Sequence, residues 1–168
     1  SSDCAGAVTG EGMTKGISWA KLIANNDGYG YDQPTRTTGW IKYKASPSCG
    51  SNCGNFDCSS FVSAILTVAG YFSTNPDFAT SNEASVLASA GFKKVASSAS
   101  SSSGLQAGDV LITSGHTEMY IGGNQLVGAS QNERGGISGG ATGDQTGREV
   151  SVHPFYNDNW TEVWRATK

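Results

Sequence analysis

The sequence predicts an α+β domain in which N-terminal helices pack on a central antiparallel β-sheet. Three observations carry this. Helical periodicity is confined to the chain before Gly91, while short apolar runs separated by turn residues fill the chain after it. Gly122-Gly123-Asn124 joins two of those runs directly, and Gly and Asn tolerate the positive φ that tight hairpins need. Helical and strand patterns that segregate along a chain, instead of alternating, point to α+β over a parallel α/β sheet. A length of 168 residues with 37% hydrophobic content suits one core, so a single domain over 1–168 is expected, with 1–12 as an N-terminal extension.

Met13, Ile17, Trp19, Ala20, Leu22 and Ile23 give residues 12–26 a mostly helical pattern that ends near Asn25-Asn26-Asp27-Gly28. From Tyr29 to Asn55 the chain is rich in Gly, Pro, Thr and Tyr without a period, which reads as a long ordered loop, and long loops in compact domains are usually functional. Phe61, Val62, Ile65, Leu66 and Ala69 then line one helical face, with Gly70 as the stop. Residues 82–90 form a short helix ended by Gly91, and 92–95 a strand. Ser97 to Ser103 is a flexible surface connection. Strands are expected at 109–112, 116–121, 125–129, 149–152 and 162–166, and the glycine-rich 134–147 segment as a mobile loop near the site.

Charge excludes some functions. A formal charge of -3 offers no basic footprint, so nucleic acid is not an expected partner. No apolar run approaches the roughly 20 residues of a membrane span, and the polar start has no signal-peptide pattern. Cys49-Gly-Ser-Asn-Cys53 is a tight polar loop that can close on itself or pin Cys4, and either suits an oxidising compartment. The C-x3-C-x4-C spacing of Cys49, Cys53 and Cys58 lacks paired C-x2-C knuckles and a nearby histidine, so no metal is expected.

The most informative segment is Phe56-Asp57-Cys58-Ser59-Ser60-Phe61-Val62, because it puts Cys58 in the first turn of a helix. There the unpaired N–H groups and the positive end of the helix dipole favour the nucleophilic thiolate. A cysteine nucleophile needs an imidazole in reach to take its proton and later to protonate the leaving amine. Of the two histidines, His116 opens an apolar strand after a turn, whereas His153 precedes Pro154 in a less regular stretch and is expected to contribute little.

Asp57-Cys58-Ser59-Ser60-Phe61-Val62, Gly108-Asp109-Val110 and Gly115-His116-Thr117 match in order and spacing the motifs of the NlpC-type papain-like cysteine peptidases. The chain resembles that family from about residue 13 to 166, and within it the phage and bacterial peptidoglycan amidohydrolases, with the CHAP type a close relative. The resemblance implies Cys58 as nucleophile and His116 as base. It implies an upstream tyrosine near the oxyanion, matched by Tyr31 with Tyr29 as fallback, and a third polar residue on the strand after the histidine strand. That last position is Gly128 here, a departure from the family. Strand alternation then makes Ser130 and Asn132 the candidates, while Gln131 and Glu133 face away unless a bulge intervenes; Asn132 is the choice, as an amide that fixes the imidazole tautomer. Asp57, Ser59, Tyr29 and Ser130 are expected to line the substrate site.

The function so implied is hydrolysis of a stem-peptide amide in peptidoglycan through an acyl-enzyme, without cofactor, by a secreted or cell-wall monomer. Cleavage between D-γ-glutamate and the diamino acid is favoured over cleavage between muramic acid and L-alanine. An acyltransferase of the same fold and a non-catalytic cell-wall binding module are the readings from other classes.

Overall fold

The computed structural model describes residues 10–168, so Cys4 and most of the expected N-terminal extension lie outside the described residues. The last two residues of that extension are not extension at all: helix α1 spans Glu11–Ala24 and buries Met13, Ile17, Trp19, Ala20 and Ile23. Helix α3, Cys58–Val68, follows the expected face, with Phe61, Val62, Ile65 and Leu66 fully buried. Truncating one of these to alanine costs about 2–5 kcal/mol. Its end is a Schellman motif: Gly70 takes φ 95°, its N–H bonds Thr67 O, and the Tyr71 N–H reaches back to Leu66 O. Helix α4 spans Thr80–Ser89.

The stretch expected as one loop holds three elements: β1 (Tyr29–Tyr31), α2 (Thr38–Ala45) and β2 (Gly54–Phe56), with β1 and β2 paired in parallel. Helix α2 lacks an apolar stripe, and Gly39 is its one buried residue. A Cβ at Gly39 would sit 2.5 Å from the Phe56 ring, so the glycine lets the helix lie on that ring. Trp40 and Tyr43 pack edge-on to Trp19 at 6.0 and 5.2 Å between centroids. The disulfide is Cys49–Cys53, the loop closed on itself.

Strands β3 (Phe92–Ala96), β4 (Val110–Thr113), β5 (His116–Gly122), β6 (Gln125–Ala129), β7 (Val150–Pro154) and β8 (Glu162–Ala166) form a six-stranded sheet in the order β3-β8-β4-β5-β6-β7. Every neighbouring pair is antiparallel. Alternation divides its faces. Val110, Ile112, Met119, Ile121, Val127, Ala129 and Val150 join the helices in the main core. Leu111, Tyr120, Leu126 and Val163 form a second cluster on the other face, capped by Trp160. His116 and Glu118 share that second face with Tyr120, and the 155–160 segment lies over it.

The glycine-rich 134–147 segment is docked on the rest of the fold by its backbone. Gln33 N–H bonds Ile137 O at 2.8 Å, Asp144 N–H bonds Asp27 O at 2.7 Å, and Gly143 N–H bonds Asn55 Oδ1 at 3.3 Å. The Asp144 carboxylate also accepts from the N–H groups of Thr146, Gly147, Glu149 and Val150, which folds the segment into β7.

Candidate active site

Cys58 is the first residue of α3, and the helix start is built around it. The N-cap Asp57 accepts the Ser60 N–H at 2.9 Å, while Ser60 Oγ accepts the Asp57 N–H at 2.9 Å, a reciprocal capping box. The other Asp57 oxygen pairs with Arg36 Nε at 2.8 Å, and Arg36 also donates to Ser59 Oγ at 3.0 Å and to the carbonyls of Asp77 and Phe78. Asp57 and Ser59, expected at the substrate, therefore spend their side chains on the cap and on Arg36. Ser60 N–H is taken by the cap, which leaves the N–H groups of Cys58 and Ser59 as the free first-turn donors of the helix. The thiol is unpaired with other cysteines, 6% exposed, and lies 3.9 Å from Gly115 O.

Antiparallel pairing of β4 and β5 puts Gly115-His116 at the turn next to that thiol. His116 interacts with Cys58 by hydrogen bond and charge, and its Nε2 contacts Glu118 Oε2 at 2.8 Å, so Nδ1 is the nitrogen left for the sulfur. Burial works against the charged imidazole, but the bonds to Cys58 and Glu118 and the charge on both outweigh it and hold His116 up at about 10. Burial likewise favours the neutral acid at Glu118, yet the bonds from His116 and His153 overcome it and hold the carboxyl down at about 2.

The group on the far imidazole nitrogen is thus the Glu118 carboxylate, two residues along the same strand, and not the Asn132 amide. Asn132 Oδ1 accepts from the N–H groups of Arg134 and Gly136, and its Nδ2 donates to Ser138 O, so the side chain is spent on its own loop. Ser130 lines an open groove of about 480 Å³ with Asn132, Thr146 and Arg148, and its N–H bonds Glu149 O. Tyr29 is core: its ring packs on Phe56 at 5.9 Å and its hydroxyl is buried without a partner. Tyr31 is buried on β1, and burial first, then the charges of Cys58 and Asp57, raises its phenol, which keeps it neutral.

Gly128, where the resemblance implies a third polar residue, leaves room for that carboxylate. A Cβ there would stand 2.6 Å from Glu118 Cγ and Oε1, so the glycine makes the room that the carboxylate fills. Glu118 is 0% exposed and also accepts from Tyr156 OH at 2.7 Å and contacts His153 Nε2 at 2.7 Å. His153 is therefore part of the network, contrary to expectation, and Trp160 stacks on the His116 ring at 5.9 Å. Strand alternation from His116 signals Glu118 in the sequence; nothing there signals Tyr156 or Trp160.

The family model that matches is described as an endolysin-like domain and covers residues 9–125 and 126–168. The chain belongs to the endolysin-like domain family. Solved NlpC/P60 domains share its fold. The P60 domain of an antigen from Mycobacterium avium subspecies paratuberculosis is 18% identical, with a TM-score of 0.54 over 93% of this chain and 94% of that one. RipB, a peptidoglycan hydrolase of Mycobacterium tuberculosis, is 18% identical with a TM-score of 0.54, over 98% of this chain and 67% of its own. RipD of the same organism, described as a non-catalytic NlpC/p60 protein adapted to peptidoglycan binding, is 15% identical with a TM-score of 0.55, over 95% and 99%. No curated protein matches the chain.

Two more carboxylates of this endolysin-like domain are structural. Asp109 of the Gly108-Asp109-Val110 motif takes both Arg165 Nε and Nη2 at 2.8 Å, tying β4 to β8. Glu83 of α4 lies behind the histidine strand, where Thr117 Oγ1 is 2.8 Å from Glu83 Oε2 and 2.8 Å from Leu111 O. One hydroxyl proton cannot serve both acceptors, so a proton on Glu83 Oε2 satisfies Thr117 and Leu111 O together, while Glu83 Oε1 stays buried without a partner. Burial, opposed by the Thr117 bond and the His116 charge, raises Glu83 to about 8, in agreement.

Proposed function

We propose that this endolysin-like domain is a peptidoglycan hydrolase that cuts an amide of the stem peptide through an acyl-enzyme on Cys58. The observation that carries the reading is the thiol at the start of α3 beside His116, whose far nitrogen rests on the buried Glu118. Cys58 Sγ attacks the amide carbon with its proton held at His116 Nδ1. The oxyanion is met by the N–H groups of Cys58 and Ser59, with the Tyr31 hydroxyl a third donor. His116 passes the proton to the leaving amine, and the C–N bond breaks as the thioester forms. His116 then takes a proton from water, whose oxygen attacks the thioester carbon and frees Cys58. Throughout, Glu118 holds Nε2–H, so the ring keeps one tautomer and one orientation.

The finer reading is an endopeptidase between D-γ-glutamate and the diamino acid, acting on the cell wall outside the cytoplasm; the second is an amidase releasing the peptide from muramic acid. The Cys58, His116 and Glu118 constellation serves either bond. Its completeness favours a catalyst over a binding module, since a binder has no use for an oriented imidazole against a thiol. Digestion of purified sacculi, with the new termini identified by mass spectrometry, tests this. A new amino terminus on the diamino acid supports the endopeptidase, new N-terminal L-alanine overturns it in favour of the amidase, and intact sacculi overturn hydrolysis.

A further inference from the structure

We propose that His153 is a positioning residue for the thiol–imidazole pair: as an imidazolium on the far side of Glu118, it pins the ionised carboxylate and weakens the hold of His116 on its proton. The proposal rests on the reading that Cys58 is activated by His116, and concerns a residue whose side chain meets Glu118, Pro154 O and the Tyr156 ring.

His153 stands on β7, opposite Leu126 of β6, while Glu118 stands on β5. The carboxylate must cross β6 to meet it, and it crosses where Gly128 has no Cβ. At the end of that reach, Glu118 Oε1 lies 2.7 Å from His153 Nε2, while Oε2 serves His116 at 2.8 Å and Tyr156 at 2.7 Å. The two carboxylate oxygens are thus divided between the two imidazoles. The other His153 nitrogen, Nδ1, lies 3.0 Å from Pro154 O. A backbone carbonyl and an ionised carboxylate can only accept, so both ring nitrogens must donate, and only the imidazolium does that. The bond to Glu118 also raises His153, which agrees.

The charges around the pair can be enumerated. His153 meets Glu118 from β5 and the Tyr156 ring at 5.3 Å from the segment that follows β7, and it feels the His116 charge. His116 meets Cys58 from α3 and Glu118 on its own strand, with Trp160 over its ring, and its charge is felt by the protonated Glu83 from α4; Asp158 and Cys58 act on Tyr156. One carboxylate therefore serves two cations. Removing the outer cation leaves Glu118 to His116 alone, which tightens the hold on the proton that must pass to the leaving amine.

Nitrogen-15 NMR of the full chain tests this without any substrate. In the wild type both ring nitrogens of His153 are expected to carry protons at pH 7. In His153→Gln, whose amide can still donate to Glu118 but carries no charge, the His116 titration midpoint is expected to rise by about half a unit, about threefold in proton affinity. Glu118→Gln is expected to move it down instead. A neutral His153 at pH 7 in the wild type overturns the proposal even where the variant does not fold, and so does a His116 midpoint that stays put or falls in folded His153→Gln. A protein that titrates as expected but leaves sacculi intact refutes the hydrolase reading alone and leaves His153 in its assigned place.

Discussion

A Cβ at position 128 collides with Glu118, so Gly128→Ala has to push aside the carboxylate that orients His116. The expected result is a fold that survives, weakened by about 1–3 kcal/mol from overpacking, with a loss of about 10²-fold in turnover from misplacing the base by an ångström. Urea denaturation and sacculus hydrolysis read the two effects separately, and full activity in a folded Gly128→Ala would remove Glu118 from the mechanism. Cys58 and His116 were legible because a cysteine at a helix start and a histidine at a strand start each leave a local pattern. Glu118 leaves one too, since residues two apart on a strand share a face. The family pattern, however, points to the following strand, where the residue is glycine because the carboxylate has taken its space. Asn132, chosen in its stead, belongs to a loop whose backbone N–H groups need its oxygen.

Elements with an apolar pattern of their own were legible and elements held by their neighbours were not. Helix α3 carries its period in the sequence, and the strands of the six-stranded sheet stand out as short apolar runs between turn residues. Helix α2 does not, because it docks through Gly39 and aromatic edges, and the three-residue strands β1 and β2 are too short for alternation to register. Arg36, in the same stretch, holds the α3 start to the 77–78 segment through Asp57, Ser59 and the carbonyls of Asp77 and Phe78. Arg36→Ala is expected to cost about 2–3 kcal/mol, the range for hydrogen bonds to charged groups, and to lower the reaction of Cys58 with iodoacetamide; equal stability and equal thiol reactivity would contradict that account of the helix start. The Cys49–Cys53 loop leads directly into β2. Reducing it should lower the unfolding temperature by an amount matching about 2 kcal/mol, as the chain-entropy estimate gives for so short a loop. Calorimetry with and without reductant measures it.

Over the whole molecule, three buried groups set how stability depends on pH. Glu118 is held below its ordinary 4.5, so its contribution is present above 4.5 and is lost as pH falls towards about 2. His116 is held above its ordinary 6.5, so its contribution is full below 6.5 and is lost as pH rises through about 10. Glu83 keeps its proton in the fold up to about 8 where the unfolded chain releases it near 4.5, so its share also falls between those values. The denaturant midpoint is therefore expected to peak near pH 4.5 and to decline on the alkaline side, and Glu83→Gln is expected to remove the decline up to about pH 6.5 and to lessen it up to pH 8; an unchanged slope would place the linkage elsewhere. Of the three, His116 faces the Cys58 thiol, on which the proposed chemistry turns. The most direct measurement is sacculus digestion by wild type and by Cys58→Ala, with folding checked by circular dichroism and new termini read by mass spectrometry. New amine and carboxyl termini in the stem peptide are expected from the wild type and none from the folded variant. Hydrolysis by Cys58→Ala at the wild-type rate would contradict the proposed chemistry.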